Sequence, residues 1–310
     1  MKTVSKTNSQ NPSRYIRTTG MISAKTTMYL PDNSRIRFFS EEESKDLFEL
    51  VRKRNVFARH SWENNFYLKH ISELSEKTVI EVFRRGDPNQ FSDRAEEIAE
   101  TAEKIIVLSS VLVTNKKRLQ HKLGVSLKTV DEVNVTIGNQ CRYLKSKTVT
   151  IPKAIGIEVD DRFCRRFEKC GFYDLYSYCL GKSVLVGRVK KSLNWLFETR
   201  KEPSLYASVV KSAIAFESLL IFSESESLAR SLSERTAFIL SSSPQDREEI
   251  SAIVKRFYNA RSGIVHGSKG KLKTFTPNLL EAMDRLIVLM YLVIAANSDI
   301  WSSTTNLFGW

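Results

Sequence analysis

Long apolar runs are missing from this chain of 310 residues. The longest, residues 286–296, contains 11 apolar residues, whereas a helix needs about 20 to cross a bilayer. Residues 1–13 are polar and lack the apolar core of a secretory signal peptide. We therefore expect a soluble, cytoplasmic protein without a membrane partner.

Paired cysteines are lacking as well. The four cysteines, Cys141, Cys164, Cys170 and Cys179, show no Cys-x2-Cys spacing and have no histidine near them in the sequence. Zinc sites are typically built from such pairs and from histidines. We interpret the cysteines as reduced thiols and expect no metal.

A complete nucleotide-binding loop and a helix-turn-helix are also missing. Gly181, Lys182 and Ser183 resemble the end of a P-loop, but Tyr176 occupies the position where that motif requires a glycine. We therefore exclude a nucleoside triphosphate site and expect no cofactor. A DNA-binding regulator is supported by basic charge alone.

Basic residues are unevenly distributed along the chain. Residues 1–202 contain 37 Lys and Arg against 25 Asp and Glu, whereas residues 203–310 contain 11 against 10. Almost all of the net charge of +13 therefore belongs to the N-terminal part. This excess favours an anionic partner, with nucleic acid first, although basic surfaces also serve solubility alone.

The N-terminal end of the chain predicts a flexible arm followed by short elements. Residues 1–20 are polar and are expected to form the arm. Residues 31–33 are a turn signal between two short strands. Ser40 and Glu43 form a capping box that begins a helix.

The middle of the chain predicts both helices and strands. Apolar residues within 56–83 predict one helix or two, and a long helix follows over residues 93–113. Residues 122–159 show the alternation of β-strands and predict a small strand-containing insert between helices. Residues 21–202 are therefore expected to form a basic α+β region that serves recognition or regulation.

A short helix after Asp160 carries basic residues interleaved with aromatic ones. Single-stranded RNA platforms use this combination, because phosphates are bound by positive charges and bases stack on rings. We favour the alternative of an ordinary amphipathic helix, docked by its aromatic face with its charges in water. The candidate RNA-binding residues here are Arg162, Arg165, Arg166 and Lys169.

The last third of the chain predicts helices beyond a boundary at residues 201–203. Apolar periodicity predicts four of them, over about residues 204–222, 225–240, 244–266 and 277–297. Glu217 lies among apolar residues of the first, and Arg235 in the second is predicted to be its buried ion-pair partner. Residues 298–310 form a tail with aromatic side chains.

The residues of greatest chemical interest end the third of these helices, in Tyr258-Asn-Ala-Arg261-Ser262-Gly-Ile-Val-His266-Gly267. Ser262 and His266 are four residues apart and share a helix face, and Arg261 is long enough to reach round to that face. Gly267 then ends the helix. A structural alternative is that the histidine complements the helix dipole and the arginine forms an ion pair.

An arginine and a histidine in this arrangement suit RNA cleavage. The imidazole of His266 transfers the proton of a ribose 2′-hydroxyl or of the leaving 5′-oxygen, and the guanidinium of Arg261 stabilises charge on the phosphate. No metal is needed for that chemistry. One histidine serves one proton transfer at a time, so a symmetric dimer would supply the second. Lys269 and Lys271, which follow directly, are candidates for steering the RNA backbone.

These residues also carry a resemblance to a known family. Arg261-Ser-Gly-Ile-Val-His266 is similar to the Arg-x4-6-His motif of HEPN ribonucleases, and the wider context resembles their Apea-like branch. The resemblance covers roughly residues 203–297, the C-terminal third. The matching blocks are residues 213–220, residues 228–240 with Arg235, and residues 257–267.

We read the whole chain as mostly α, and the resemblance implies that its C-terminal third is a four-helix HEPN-like bundle. It further implies a homodimeric, metal-independent endoribonuclease that leaves a 2′,3′-cyclic phosphate, often in bacterial antiviral defence or a toxin system, with tRNA as one candidate substrate. Arg261 and His266 are the implied catalytic residues, and Tyr258 and Ser262 support them. Ser262 replaces the Asn, Asp or His common in the family. The alternative is a non-catalytic module that binds RNA or a nucleotide, or that dimerises for a partner such as an antitoxin or activator.

Overall fold

The architecture comes from a computed structural model. It describes residues 13–53, 71–84, 88–113, 127–137, 141–152, 156–221, 228–267 and 276–298. This part of the chain is mostly helical, with a small antiparallel sheet near the N-terminus. Across these ranges, every helix is too short or too polar to cross a membrane.

The chain divides into two compact units. Unit 1 comprises residues 1–103, 129–150 and 158–160, and unit 2 comprises residues 104–128, 151–157 and 161–310. Unit 1 contains most of the strands, and unit 2 contains the C-terminal helices. Both sides of the boundary predicted at residues 201–203 therefore belong to unit 2.

The strands form one six-stranded sheet and one pair. Their bounds are β1 Ser13–Thr18, β2 Ile22–Ala24, β3 Met28–Tyr29, β4 Arg35–Phe39, β5 Lys77–Arg84, β6 Leu127–Ile137, β7 Cys141–Pro152 and β8 Ile157–Val159. The large sheet has the order β3-β4-β5-β1-β6-β7, and β2 pairs with β8. β1 pairs antiparallel with both β5 and β6. β3 pairs antiparallel with β4, which confirms the strand pair predicted around residues 31–33.

The first strand corrects the prediction of a flexible arm. Residues 13–18 form β1 inside the sheet, with Tyr15 and Ile16 fully buried, while residues 1–12 lie outside the described part. The charged residues of β1 find buried partners, since Arg17 pairs with Glu103 at 3.0 Å and Arg14 pairs with Glu81. These partners are far apart in sequence, and they make a polar segment compatible with a buried strand.

One further prediction for unit 1 was wrong, and another was confirmed in part. Residues 77–83, predicted to be helical, lie in β5, because Val79, Ile80 and Val82 are buried on both faces of the sheet and show no alternation. Residues 56–70 of the same prediction lie outside the described residues. The strands predicted within residues 122–159 are present as β6, β7 and β8, and β6 pairs with β1, so that it belongs to the N-terminal sheet.

The helices follow in the order α1 to α9. Their bounds are α1 Glu41–Lys53, α2 Pro88–Val113, α3 Asp161–Lys169, α4 Phe172–Cys179, α5 Val184–Lys201, α6 Leu205–Leu220, α7 Leu228–Leu240, α8 Pro244–His266 and α9 Pro277–Ala296. The predicted capping box begins α1, because Ser40 Oγ accepts from the Glu43 amide at 3.2 Å and Glu43 accepts from the Ser40 amide at 3.0 Å. The helices predicted for the last third are present.

Hydroxyl-capped helices pack around an apolar interior in unit 2. Ser204, Ser243 and Thr276 cap the N-termini of α6, α8 and α9. α9 contacts α4, α6, α7 and α8, while α6 also packs along α5. Phe216 of α6 and Phe257 of α8 are fully buried. This packing fixes the end of α8, where the candidate residues lie.

Candidate functional site

The C-terminal half of α8 is anchored by one buried stripe. Val254, Phe257, Tyr258, Ala260 and Gly263 are buried at roughly helical spacing. Gly267 follows in the left-handed region, with φ of 66°, and its amide donates to the carbonyl of Gly263. The helix therefore ends at His266, as predicted, because glycine adopts this conformation without steric cost.

Glu217 of α6 joins two of the candidate residues of α8. The phenol of Tyr258 donates to Glu217 Oε1 at 3.1 Å, and Arg261 Nη2 lies 3.7 Å from the same oxygen. The Glu217 and Arg261 side chains are 23% and 27% exposed, so solvent weakens this ion pair but does not abolish it. We refer to Glu217, Tyr258 and Arg261 as the Glu217 triad.

Electrostatics keep the Tyr258 phenol in its donor form. Burial raises the pKa of Tyr258 far above its ordinary value, and the nearby carboxylate of Glu217 raises it further. Tyr258 therefore keeps its proton at every physiological pH and holds the Glu217 carboxylate through one fixed hydrogen bond. Glu217, fixed in this way, presents its charge to Arg261.

Arg261 retains a donor that the triad does not use. Its Nε is buried and has no hydrogen-bond partner among the described residues. A buried unsatisfied N–H is costly in a folded protein, by about 1–3 kcal/mol. Such a donor is suited to an oxygen atom of a ligand.

His266 and Arg261 project from different sides of the helix. Consecutive helical residues are rotated by about 100°, so the five-residue separation places them about 140° apart. His266 is exposed in the last turn, and Ser262, on its face, is half-buried. Arg261 lies instead on the side of Tyr258, three residues before it. One chain therefore presents its arginine and its histidine in divergent directions.

Arg235 has a different partner from the one predicted. Arg235 Nη1 donates to the carbonyl of Leu220 at the end of α6, and Arg188 Nη1 donates to the carbonyl of Ile221 at 2.7 Å. The last carbonyls of a helix lack intrahelical donors and carry partial negative charge, which attracts guanidinium groups. The predicted Glu217–Arg235 ion pair is thus replaced by the Glu217 triad, and Arg235 caps the helix that carries Glu217.

The predicted RNA-binding residues divide into three groups. Arg162, Arg165 and Lys169 are exposed on α3, whereas Arg166 is half-buried and its Nη1 donates to the carbonyl of Val113 at 2.8 Å. Lys269 and Lys271 lie outside the described residues. The three exposed side chains remain candidates, while Arg166 has a structural bond.

The aromatic residues near α3 do not provide an open stacking surface. Phe163, Phe167, Phe172 and Tyr176 are buried, and Phe167 stacks on Phe172 with ring centroids 5.1 Å apart. This packing favours the docked amphipathic helix over the RNA platform, because bases need exposed ring faces.

Sequence reasoning missed a second group of charged residues, in unit 1. Arg14, Arg35 and Arg37 surround the buried carboxylate of Glu81. The alternation of Arg35 and Arg37 in one strand is the only sequence signal, because the partners lie between 44 and 67 residues apart.

Comparisons of the chain with protein-family models, with curated proteins and with solved structures find no match.

Proposed function

We propose that the chain is a metal-independent endoribonuclease of HEPN type, whose last four helices form a dimerising bundle and whose site is shared by two copies. The observation that carries this proposal is the end of α8. There Arg261 is held by Glu217 with a free Nε donor, and His266 is exposed in the last turn. A permanent cation and a titratable imidazole are the two groups that the reaction requires.

The reaction uses these residues in distinct roles. His266 accepts the proton of the ribose 2′-hydroxyl, whose oxygen attacks the adjacent phosphorus, and a second histidine protonates the leaving 5′-oxygen. Arg261 donates to the non-bridging oxygens, where negative charge increases in the transition state. The products are a 2′,3′-cyclic phosphate and a 5′-hydroxyl.

The divergence of Arg261 and His266 supports a site built from two copies. A cleft across a two-fold axis would bring two copies of the α8 end together and supply two histidines and two arginines. Val265, next to His266, is 49% exposed and gives this face an apolar component. Dimerisation is therefore part of the proposed mechanism.

The Glu217 triad positions the arginine in this proposal. Tyr258 fixes Glu217, and Glu217 restrains the guanidinium of Arg261 while leaving Nε for substrate. Arg235 acts one step further out, by holding the last turn of α6 through the Leu220 carbonyl. Ser262 shares the face of His266 and is suited to contact the RNA.

A cleavage assay on total RNA and tRNA tests the proposal. Wild type and His266→Ala are compared in EDTA, with Asn259→Ala, an exposed substitution on the same helix, as the control. Loss of a general acid–base group reduces the rate by about 10²–10⁴-fold. We expect that loss in His266→Ala only, with the dimer intact. Equal cleavage by all three proteins would refute the proposed role of His266.

The alternative is a non-catalytic module of the same type, which binds RNA or a nucleotide or serves as a dimeric scaffold for an antitoxin or activator. The ion pair of Arg261 with Glu217 favours it, because that carboxylate offsets the charge which catalysis would use. Expression toxicity separates the two. A nuclease is toxic as wild type and harmless as His266→Ala, whereas a binding module behaves the same in both forms. If the protein is a nuclease, we propose that it acts in bacterial defence inside the cytoplasm.

A further inference from the structure

One carboxylate in unit 1 is surrounded by three arginines. Glu81 of β5 is fully buried. Its Oε1 accepts from Arg14 Nε at 2.9 Å, and its Oε2 accepts from Arg37 Nε at 2.7 Å and from Arg35 Nε at 2.5 Å. We refer to these four residues as the Glu81 cluster.

The register of the sheet assembles the cluster. Arg35 of β4 lies directly opposite Glu81, and Arg37 is two residues further on the same face. On the other side of β5, Ile16 of β1 lies opposite Glu81, so Arg14, two residues earlier, also shares that face. The three guanidiniums converge because strands β4 and β1 flank β5.

The charges of the cluster do not balance. Arg37 has a second carboxylate partner, Glu43, which is 40% exposed. Among the described residues, three guanidinium groups therefore face two carboxylates, which leaves one positive charge in excess. Arg37 forms ion pairs with both carboxylates. Arg14 and Arg35 form their ion pairs with Glu81, so three arginines share the charge of this one carboxylate.

Arg14 and Arg35 each have N–H donors that do not bond to Glu81. Arg35 bonds Glu81 through Nε alone, and Arg14 through Nε and Nη2, although each guanidinium carries five N–H donors. Within the described part of the chain, both Nη groups of Arg35 and the Nη1 of Arg14 have no hydrogen-bond partner. These side chains are 29% and 25% exposed, respectively, whereas Arg37 is 11% exposed.

An aromatic ring helps to fix the same two guanidiniums. The ring centroid of Phe83 lies 5.1 Å from the guanidinium carbon of Arg35 and 5.9 Å from that of Arg14. Cation–π contact and the bonds to Glu81 restrict both side chains. Fixed guanidiniums lose little entropy when they bind a ligand, which favours recognition.

We propose that the Glu81 cluster binds a phosphate group, which accepts hydrogen bonds from the unused nitrogens of Arg14 and Arg35. The planar donor fork of arginine matches phosphate oxygens, and the excess positive charge selects an anion. Glu81 is a positioning residue, because it turns the Nε edges inward and leaves both Nη groups of Arg35 and the Nη1 of Arg14 for the ligand.

The phosphate belongs either to RNA or to a small phosphorylated molecule. The excess of Lys and Arg in residues 1–202 is what a polyanion requires, so a backbone phosphate of RNA is the form we expect. This proposal goes beyond the cleavage proposal and does not depend on it, since the cluster shares no residue with the Glu217 triad or His266.

Titration of the full-length protein with inorganic phosphate, followed by calorimetry, tests the site directly. The double variant Arg14→Gln/Arg35→Gln removes the guanidinium nitrogens that are proposed to bind the phosphate. The matched control, Lys45→Gln/Arg94→Gln, removes the same two charges from exposed ion pairs on α1 and α2 of unit 1. The variant Arg14→Lys/Arg35→Lys keeps the charge opposite Glu81 and provides the answer if the glutamine variant does not fold.

We expect phosphate binding by the wild type and the control, and at least about tenfold weaker binding by either cluster variant. No binding by the wild type, or equal affinity in the cluster variants and the control, would overturn the proposal. A second titration with single-stranded RNA identifies the source. A parallel loss of affinity, with competition by phosphate, indicates RNA, whereas RNA binding that is unchanged indicates a small phosphorylated ligand.

Discussion

The phenol of Tyr258 donates a hydrogen bond to the carboxylate of Glu217, with 3.1 Å between the two oxygens. The bond connects α8 to α6 next to Arg261. Because burial keeps the pKa of Tyr258 well above its ordinary value, the direction of the bond is fixed. The position of Arg261 depends on this contact.

Removal of the Tyr258 hydroxyl tests the contact. Tyr258→Phe deletes a partly buried hydrogen bond and should lower the free energy of unfolding by about 1 kcal/mol. Urea denaturation measures the change. Tyr206→Phe is the control, because Tyr206 is 55% exposed and its substitution should change nothing measurable. Equal stability of the two variants would show that the Tyr258–Glu217 bond contributes nothing.

Two glycines of unit 2 should respond to alanine in opposite directions. Gly267 has a φ of 66°, so Gly267→Ala strains the backbone and should destabilise the protein by about 1 kcal/mol. Gly187 is exposed inside α5 with open space around an added Cβ, so Gly187→Ala should stabilise it by up to about 1 kcal/mol. Thermal unfolding of both variants measures the difference. A gain in stability from Gly267→Ala would contradict the helix end described for α8.

Glu81 should make the free energy of unfolding depend on pH in the acidic range. Burial would raise the pKa of Glu81, but the hydrogen bond from Arg37 and the charge of Arg14 outweigh it and hold the pKa below its ordinary value of 4.5. The folded protein therefore binds this proton less readily than the unfolded chain. The stabilisation is fully present above pH 4.5 and is lost as the pH falls through the lower, folded-state pKa.

Denaturation at a series of pH values from 7 to 3 measures this effect. Glu81→Gln should cost about 3 kcal/mol at pH 7, because three partly buried guanidinium groups lose the charge of a carboxylate that is fully buried between them. The variant should also lose less stability on acidification than the wild type. Parallel pH profiles for the two proteins would show that Glu81 is not the group responsible.

The sequence predicted local features better than long-range ones. The capping box of Ser40 and Glu43, the turn at residues 31–33 and the end of α8 at Gly267 were all predicted, because each depends on residues a few positions apart. β1 was not predicted, because Arg14 and Arg17 make this segment polar when only the neighbouring residues are considered. Their partners, Glu81 and Glu103, are 67 and 86 residues away.

The candidate site shows the same difference between local features, which the sequence predicted, and long-range contacts, which it did not. The residue types at the end of α8 were evident from spacing, but the partner of Glu217 was not. Arg235 was the predicted partner from the next helix, yet it bonds the Leu220 carbonyl at the end of α6, and Tyr258 and Arg261 contact Glu217 instead. Competition between a carboxylate and a helix end depends on packing, which periodicity does not reveal.

Subunit mixing tests whether the site is shared between copies. A mixed dimer of one wild-type and one His266→Ala subunit keeps two arginines but only one histidine. Because the two proton transfers are assigned to two histidines, this dimer should cleave RNA far less than half as fast as the wild-type dimer. The wild-type and His266→Ala dimers serve as controls. A mixed dimer with half of the wild-type rate would contradict the shared cleft.

The ends of the RNA products provide the most direct test of the central claim. Wild-type protein is incubated with tRNA and total RNA in EDTA, and the new 3′ and 5′ ends are identified chemically, with His266→Ala in parallel. The account predicts 2′,3′-cyclic phosphate and 5′-hydroxyl ends that disappear in His266→Ala. Products with 3′-hydroxyl and 5′-phosphate ends, or cyclic ends that persist in the variant, would contradict it.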